Sequence, residues 1–156
     1  MEKKRQIKKK NQTKKVVHKK KLRKNKYKRT HKGKMSLITS SPKTRNLAFG
    51  NYGIVLLKPT WLDEQDIAFC CKYIKKYLIK QSRIWIRIFP DFPITKKPTG
   101  VRMGKGKGKP HRWISKIAAG TTIIEIGNVP ILNIEKIEKR LQNAWTQSIE
   151  IVDDIY

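Results

Sequence analysis

The first 34 residues hold 18 Lys and Arg against a single acid, Glu2, and so carry +17 of the chain's formal net charge of +27. A run of like charge repels itself and cannot bury enough apolar surface to offset the entropy of ordering. Residues 1–34 are therefore expected to form a disordered basic arm whose natural partner is a polyanion. A merely solvated tail is the plainer alternative, and it accounts poorly for a run this dense. An anionic membrane surface is a poorer match still. The arm offers only Ile7, Val16, Val17 and Leu22, which make no aliphatic stripe for the interface. The other 122 residues carry 20 basic and 10 acidic side chains, and this part of the chain can build one domain around a core.

The longest uncharged stretch, Asn46–Leu57, has twelve residues, whereas a spanning helix needs about 20 apolar ones, so no membrane span is expected. No apolar segment follows the basic start as a secretory signal requires, and a transit peptide would favour Arg and Ser over this Lys-rich run. Cys70 and Cys71 are adjacent rather than spaced as C-x-x-C, and His18, His31 and His111 are scattered. Neither a zinc set nor a disulfide framework follows, which suits a reducing compartment. The two cysteines read as small residues of a helix, one of them buried.

Beyond the arm, residues 35–46 are polar and contain Pro, so they read as a linker, with a globular domain over 47–156. In "FGNYGIVLLKP", Tyr52, Ile54 and Leu56 fall on one face of a strand. Gly50 and Gly53 suggest a bend or a close approach at its start. Residues 60–81 read as a helix with the apolar stripe Ile67, Cys70 or Cys71, Ile74 and Leu78. Thr60 and Asp63 resemble a capping box, and the acids Asp63, Glu64 and Asp66 suit the positive end of the helix dipole. Residues 83–91 read as a strand with Ile84, Ile86 and Ile88 on one face and Arg83, Trp85, Arg87 and Phe89 on the other. The second face could stack on bases and pair with phosphates, which makes Arg83, Trp85 and Arg87 candidate RNA contacts. It could equally be a half-buried sheet face whose rings simply pack.

Residues 92–112 hold three Pro, four Gly and seven basic residues with no acid, and read as an irregular loop. "RWISKIAAGTTIIEIGNV" reads as a hairpin turning at "AAG". Residues 133–145 read as a second helix capped by Asn133, with the stripe Ile134, Ile137, Leu141 and Trp145, and "SIEIV" as a last strand. Hairpin-linked strands mixed with helices place the domain in the α+β class: a two-layer sandwich of mostly antiparallel strands with two amphipathic helices.

The Gly/Lys loop invites comparison with nucleotide cradles. A phosphate-binding G-x-x-x-x-G-K-[ST] started at Gly100 meets Lys105 where Gly is required, and started at Gly104 it meets Lys109. G-x-G-x-x-G started at Gly104 also meets Lys109, and Pro110 with a strand follows instead of a helix N-terminus. No nucleophile elbow, H-E-x-x-H or paired-carboxylate motif occurs, so no catalytic residue, cofactor or metal is expected. Glycines that permit close backbone approach, interleaved with mobile cations, suit the phosphates of RNA. An ordinary mobile surface loop is the plain alternative.

"RIWIRIFPDFPITKKPTGVRMGKGKGKPHRWISKI" closely resembles the bacterial and organellar family of large-ribosomal-subunit protein sixteen, specifically over Arg83–Gly108. "KYKRTHKGK" and "LAFGNYGI" are similar to that family's basic H-K-G stretch and its F-G-x-[FY]-G. Together the likeness covers about residues 26–130. The resemblance implies an α/β-hammerhead fold and a structural, non-enzymatic place in the large subunit, with rRNA, the tRNA acceptor arm and neighbouring ribosomal proteins as partners. On that basis Lys26, Tyr27, Lys28, Arg29, His31 and Lys32 would lie along rRNA. The loop Lys96, Lys97, Arg102, Met103, Gly104, Lys105, Gly106, Lys107, Gly108 and Lys109 would approach the peptidyl-transferase centre and tRNA. A stand-alone RNA-binding or assembly factor is the alternative. The extra basic segment before Lys26, with 13 Lys and Arg, the basic Lys109 and His111, and the segment after Pro130 depart from the family pattern. The Lys- and Ile-heavy composition suggests an AT-rich genome and, with the resemblance, an organelle-encoded protein: the mitochondrion ahead of the plastid or a bacterial cytoplasm.

Overall fold

Period-two alternation and the long helical stripe produce most of the elements that the sequence implies. The computed structural model of the chain describes residues 30–34, 46–104 and 106–153. Most of the arm (1–29, with Lys26, Tyr27, Lys28 and Arg29), most of the linker (35–45) and Lys105 lie outside the described residues. The elements are β1 (Tyr52–Leu56), β2 (Thr60–Asp63), α1 (Glu64–Tyr77), β3 (Arg83–Ile86), β4 (Phe92–Lys96), β5 (Lys109–Ile117), β6 (Thr121–Gly127), α2 (Ile131–Ala144) and β7 (Ile149–Asp153). They form a four-stranded sheet in the order β3-β6-β1-β7 and a three-stranded sheet in the order β2-β5-β4, with all described pairings antiparallel. The class is α+β, as the sequence implies.

The inward residues of the larger sheet, Ile54, Leu56, Ile84, Ile124 and Ile126, meet Ile67, Cys70, Cys71, Ile74 and Leu78 of the α1 region. Ile137, Leu141 and Trp145 from the α2 region complete the cluster, with Leu62 and Ile117 from the smaller sheet. Each fully buried Ile or Leu contributes about 1.5–3 kcal/mol of transfer free energy. Both cysteines are buried here, not one. Burial pushes the Cys71 thiol up to about 11 and the Cys70 thiol further still, so both stay protonated and inert at neutral pH.

Besides the second buried cysteine, and the strand expected over 83–91, which ends at Ile86 with its pairing to β6, four expectations are corrected. Thr60–Asp63 is a strand, not the first turn of the helix: it pairs with Ile114–Ile117, burying Thr60 and Leu62 at period two. α1 therefore begins after Asp63, whose backbone N–H donates to Asp66 Oδ2 at 3.0 Å, so the cap lies one turn later than the Thr60 pattern suggests. Residues 92–112 are only partly irregular, because both ends are strands. Pro93 is tolerated because β4 is an edge strand. Pro110 lies beyond the part of β5 that pairs with β2, beside the register shift at Ile94/Thr95.

Third, β5 and β6 are not a hairpin. β5 has β2 and β4 as neighbours, and β6 has β3 and β1, so "AAG" carries the chain from one sheet to the other. The Gly120 N–H donates to Leu56 O at 2.6 Å, and its φ of +77° suits glycine. Fourth, Pro130 rather than Asn133 occupies the N-cap of α2, its φ near −65° leading into the helix.

The segment ahead of β1 lies flat across the outer face of the larger sheet. A Cβ on Gly50 would come within 2.7 Å of the Ile126 carbonyl oxygen, and one on Gly53 within 2.3 Å of Leu47 Cδ2. The two glycines of "FGNYG" are thus close-approach positions. Gly50→Ala is expected to cost about 1–3 kcal/mol through forced displacement of the segment, read as a lower thermal midpoint with unchanged helical circular dichroism.

Candidate nucleic-acid interface

The Gly/Lys loop is the connection between β4 and β5, closed at its base by the pair Lys96 and Lys109. Gly108 permits this closure, since a Cβ there would sit 2.5 Å from Lys96 O. A turn follows, with Val101 N–H donating to Pro98 O and Gly100 at φ +86°. Lys97 Nζ donates to Gly104 O across the loop. Gly104 and Gly106 also have positive φ with open space around them, so they serve backbone shape rather than packing. Met103 is 99% exposed at the apex, and Lys96, Arg102, Lys107 and Lys109 are exposed around it.

The end of the arm docks beside this loop. Thr30 O accepts from Lys107 Nζ at 2.6 Å, and Lys32 O accepts from Lys116 Nζ at 2.7 Å. Lys32 Nζ lies 5.1 Å from the Trp61 ring centroid, while Lys116 Nζ lies 3.6 Å from that of Phe92 and 5.7 Å from that of Trp61. Cations held over ring faces gain electrostatic attraction while keeping protons free for other acceptors. His31 and Lys32 are exposed on the same side. Asp63, the acid of this sheet face, is already paired with Arg112 at 2.7 Å. Arm end, outer face of the smaller sheet and loop therefore form one continuous cationic and aromatic surface.

A second cluster lies on the larger sheet. Glu125, 0% exposed, accepts backbone N–H bonds from Ala48 (3.1 Å), Phe49 (2.7 Å) and Gly50 (3.0 Å). Arg87 pairs with the same carboxylate and also donates to Asn46 O at 2.6 Å. Arg87 is thus occupied inside the fold, and β3, which ends at Ile86, presents Arg83 as its exposed cation. Trp85 is half-buried: it packs over Gly127, where a Cβ would come within 2.8 Å of the ring, and Phe49 stacks on it at 6.2 Å and 22°. The packing reading of this face holds for Trp85 and Arg87, while Arg83 is exposed to solvent.

Sequence patterning did not single out Lys116, Trp61, Phe49 or Glu125 as interface residues. Lys116 had a usable signal, its period-two place with Arg112 on β5. Glu125 had one as well, being the lone acid in the buried run "TTIIEIG". Phe49 and Trp61 had none, because their setting depends on remote partners. Among the described residues no group of three or more His, Cys, Asp or Glu lies together, and no helix is long and apolar enough to cross a membrane.

The family model described as ribosomal protein L16p/L10e matches residues 22–152, which extends the likeness past Pro130 and into β7. The chain is 41% identical over 107 residues to large ribosomal subunit protein uL16 of Parabacteroides distasonis, covering 69% of this chain and 73% of that one. It is 38% identical over 109 residues to uL16 of Karelsulcia muelleri (70% and 79% covered) and 37% identical over 107 residues to uL16c of Porphyra purpurea (69% and 76% covered). The chain therefore belongs to the ribosomal protein L16p/L10e family and is a structural constituent of the large ribosomal subunit, not an enzyme.

Proposed function

We propose that this chain binds large-subunit rRNA through its arm, the outer face of the smaller sheet and the base of the loop, and that the loop apex helps position the tRNA acceptor arm. The observation that carries the reading is the docking of Thr30–Lys34 between Lys107 and Lys116. It merges two sequence-distant basic segments into one surface whose acid, Asp63, is already paired. Lys26, Tyr27, Lys28 and Arg29, outside the described residues, join this reading through the family resemblance alone, and Arg83, exposed beside the packed Trp85, adds a separate contact on the larger sheet. Arg87 supports the fold from within its pair with Glu125. Phosphate contacts of this kind position an RNA without reading its sequence. The Met103 apex, 99% exposed and flanked by Arg102, suits a probe that meets a second RNA. Neighbouring ribosomal proteins complete the setting.

An organelle-encoded origin, mitochondrial ahead of plastid or bacterial, is supported by the Lys- and Ile-rich composition alone. The relatives named above are bacterial and plastid-type.

Cosedimentation tests the assignment. The native chain should stay with large subunits in moderate salt. A chain that binds free RNA but leaves the subunits under those conditions acts as a separate RNA-binding or assembly factor, and the positioning role falls.

A further inference from the structure

We propose that Phe49, rather than Trp85, is the ring on which an unpaired RNA base stacks, with Arg83 alongside to take the adjoining phosphate. The inference rests on the RNA-binding reading above and adds a site remote in sequence from the Gly/Lys loop. A single exposed apolar residue is ordinary and needs no account. Phe49 differs in three ways. The residue is 66% exposed although its ring stacks on Trp85, 6.2 Å between centroids and 22° between planes, so a second ring backs it while much of the side chain is left to solvent. Its backbone is clamped: the N–H groups of Ala48, Phe49 and Gly50 all donate to the buried Glu125 carboxylate, and Asn46 O accepts from Arg87. Its support is fitted, because Trp85 lies over Gly127, the residue paired with Arg83 across β3 and β6. Arg83 and Trp85 are two apart on β3 and so share the outer face, where Arg83 is exposed.

A flat ring held in advance loses little freedom on binding, and every base has a π-face to lay on it. The cation beside it and the chain's net charge of +27 favour a polyanion over an apolar protein surface as the occupant. Glu125 acts here only as a positioning residue.

The test titrates the full chain and its Phe49 variants with single-stranded oligoadenylate and, separately, with a fully paired RNA duplex. Phe49→Ala should weaken oligoadenylate binding roughly 5- to 100-fold and leave duplex binding and the salt dependence unchanged. Phe49→Trp should retain affinity, whereas Phe49→Leu, which keeps apolar bulk without a ring, should not. Equal affinity of the Leu and Trp variants overturns the proposal even if Phe49→Ala is destabilised. So does unchanged RNA affinity with poorer incorporation into large subunits, which assigns the face to a protein neighbour. Failure of the parent chain to bind any RNA defeats the wider reading too, whereas normal parental binding with an indifferent Phe49→Ala defeats this inference alone.

Discussion

Glu125→Gln should lower the stability of the folded domain by about 3 kcal/mol, shifting the thermal midpoint by roughly 10–20 °C for a domain of this size. The carboxylate is fully buried and accepts four donors: three successive backbone N–H groups and the Arg87 guanidinium. An amide of the same shape turns one acceptor oxygen into a donor that faces donors. It also removes the charge that the half-buried Arg87 is paired with. Burying an uncompensated partner costs more than the pair itself contributes. Arg87→Gln should cost less, because the three backbone donors still solvate the carboxylate. Differential scanning calorimetry on both variants decides the point. A midpoint for Glu125→Gln within about 2 °C of the parent would mean that Leu47 and Gly50 hold the segment by packing alone.

Exchanging Lys96, Arg102, Lys107 and Lys109 together for Gln should weaken binding to an rRNA fragment by roughly 10²- to 10³-fold at about 0.15 M salt. The log–log salt slope should fall in magnitude by about 3, since each phosphate contact contributes roughly 0.7–0.9. All four side chains are exposed, so the thermal midpoint should hold. Filter binding across a salt series measures both quantities. A slope that does not move would show that these cations do not meet phosphate, whatever the affinity does, and would shift the electrostatic role to the arm.

Much of the fold was legible because helix and strand periods are local. The stripe Ile67, Ile74 and Leu78, the alternation in β1, and the second helix ending near Trp145 appear where the pattern implies, whereas β3 stops at Ile86 although the alternating residues run on towards Asp91. The misreadings share a cause. Thr60–Asp63 has the residues of a capping turn and the alternation of a strand, and only pairing with β5 chooses between them. Pro93 and Pro110 looked prohibitive until their strand neighbours were known. The loop's cations could be read directly, because charge without compensation needs no partner to be noticed. Phe49 could not, because a phenylalanine in a short segment means nothing until Trp85 is seen beneath it.

By itself, then, the sequence determined the partition of charge, the apolar periods, the mismatch of the Gly/Lys loop with any nucleotide cradle, and the motif that resembles its family. Each of these is set by residues close together along the chain. Tertiary structure decided which sheet each strand joins, that Arg87 is spent inside the fold while Arg83 is not, and that Glu125 holds a segment 75 to 77 residues away. It also brought Thr30 to Lys107 and Lys32 to Lys116, across 77 and 84 residues. The physical reason is range. A period reports how one element meets a core, but the choice of hydrogen-bond and ion-pair partners is made only when distant segments compete for the same buried donors and acceptors.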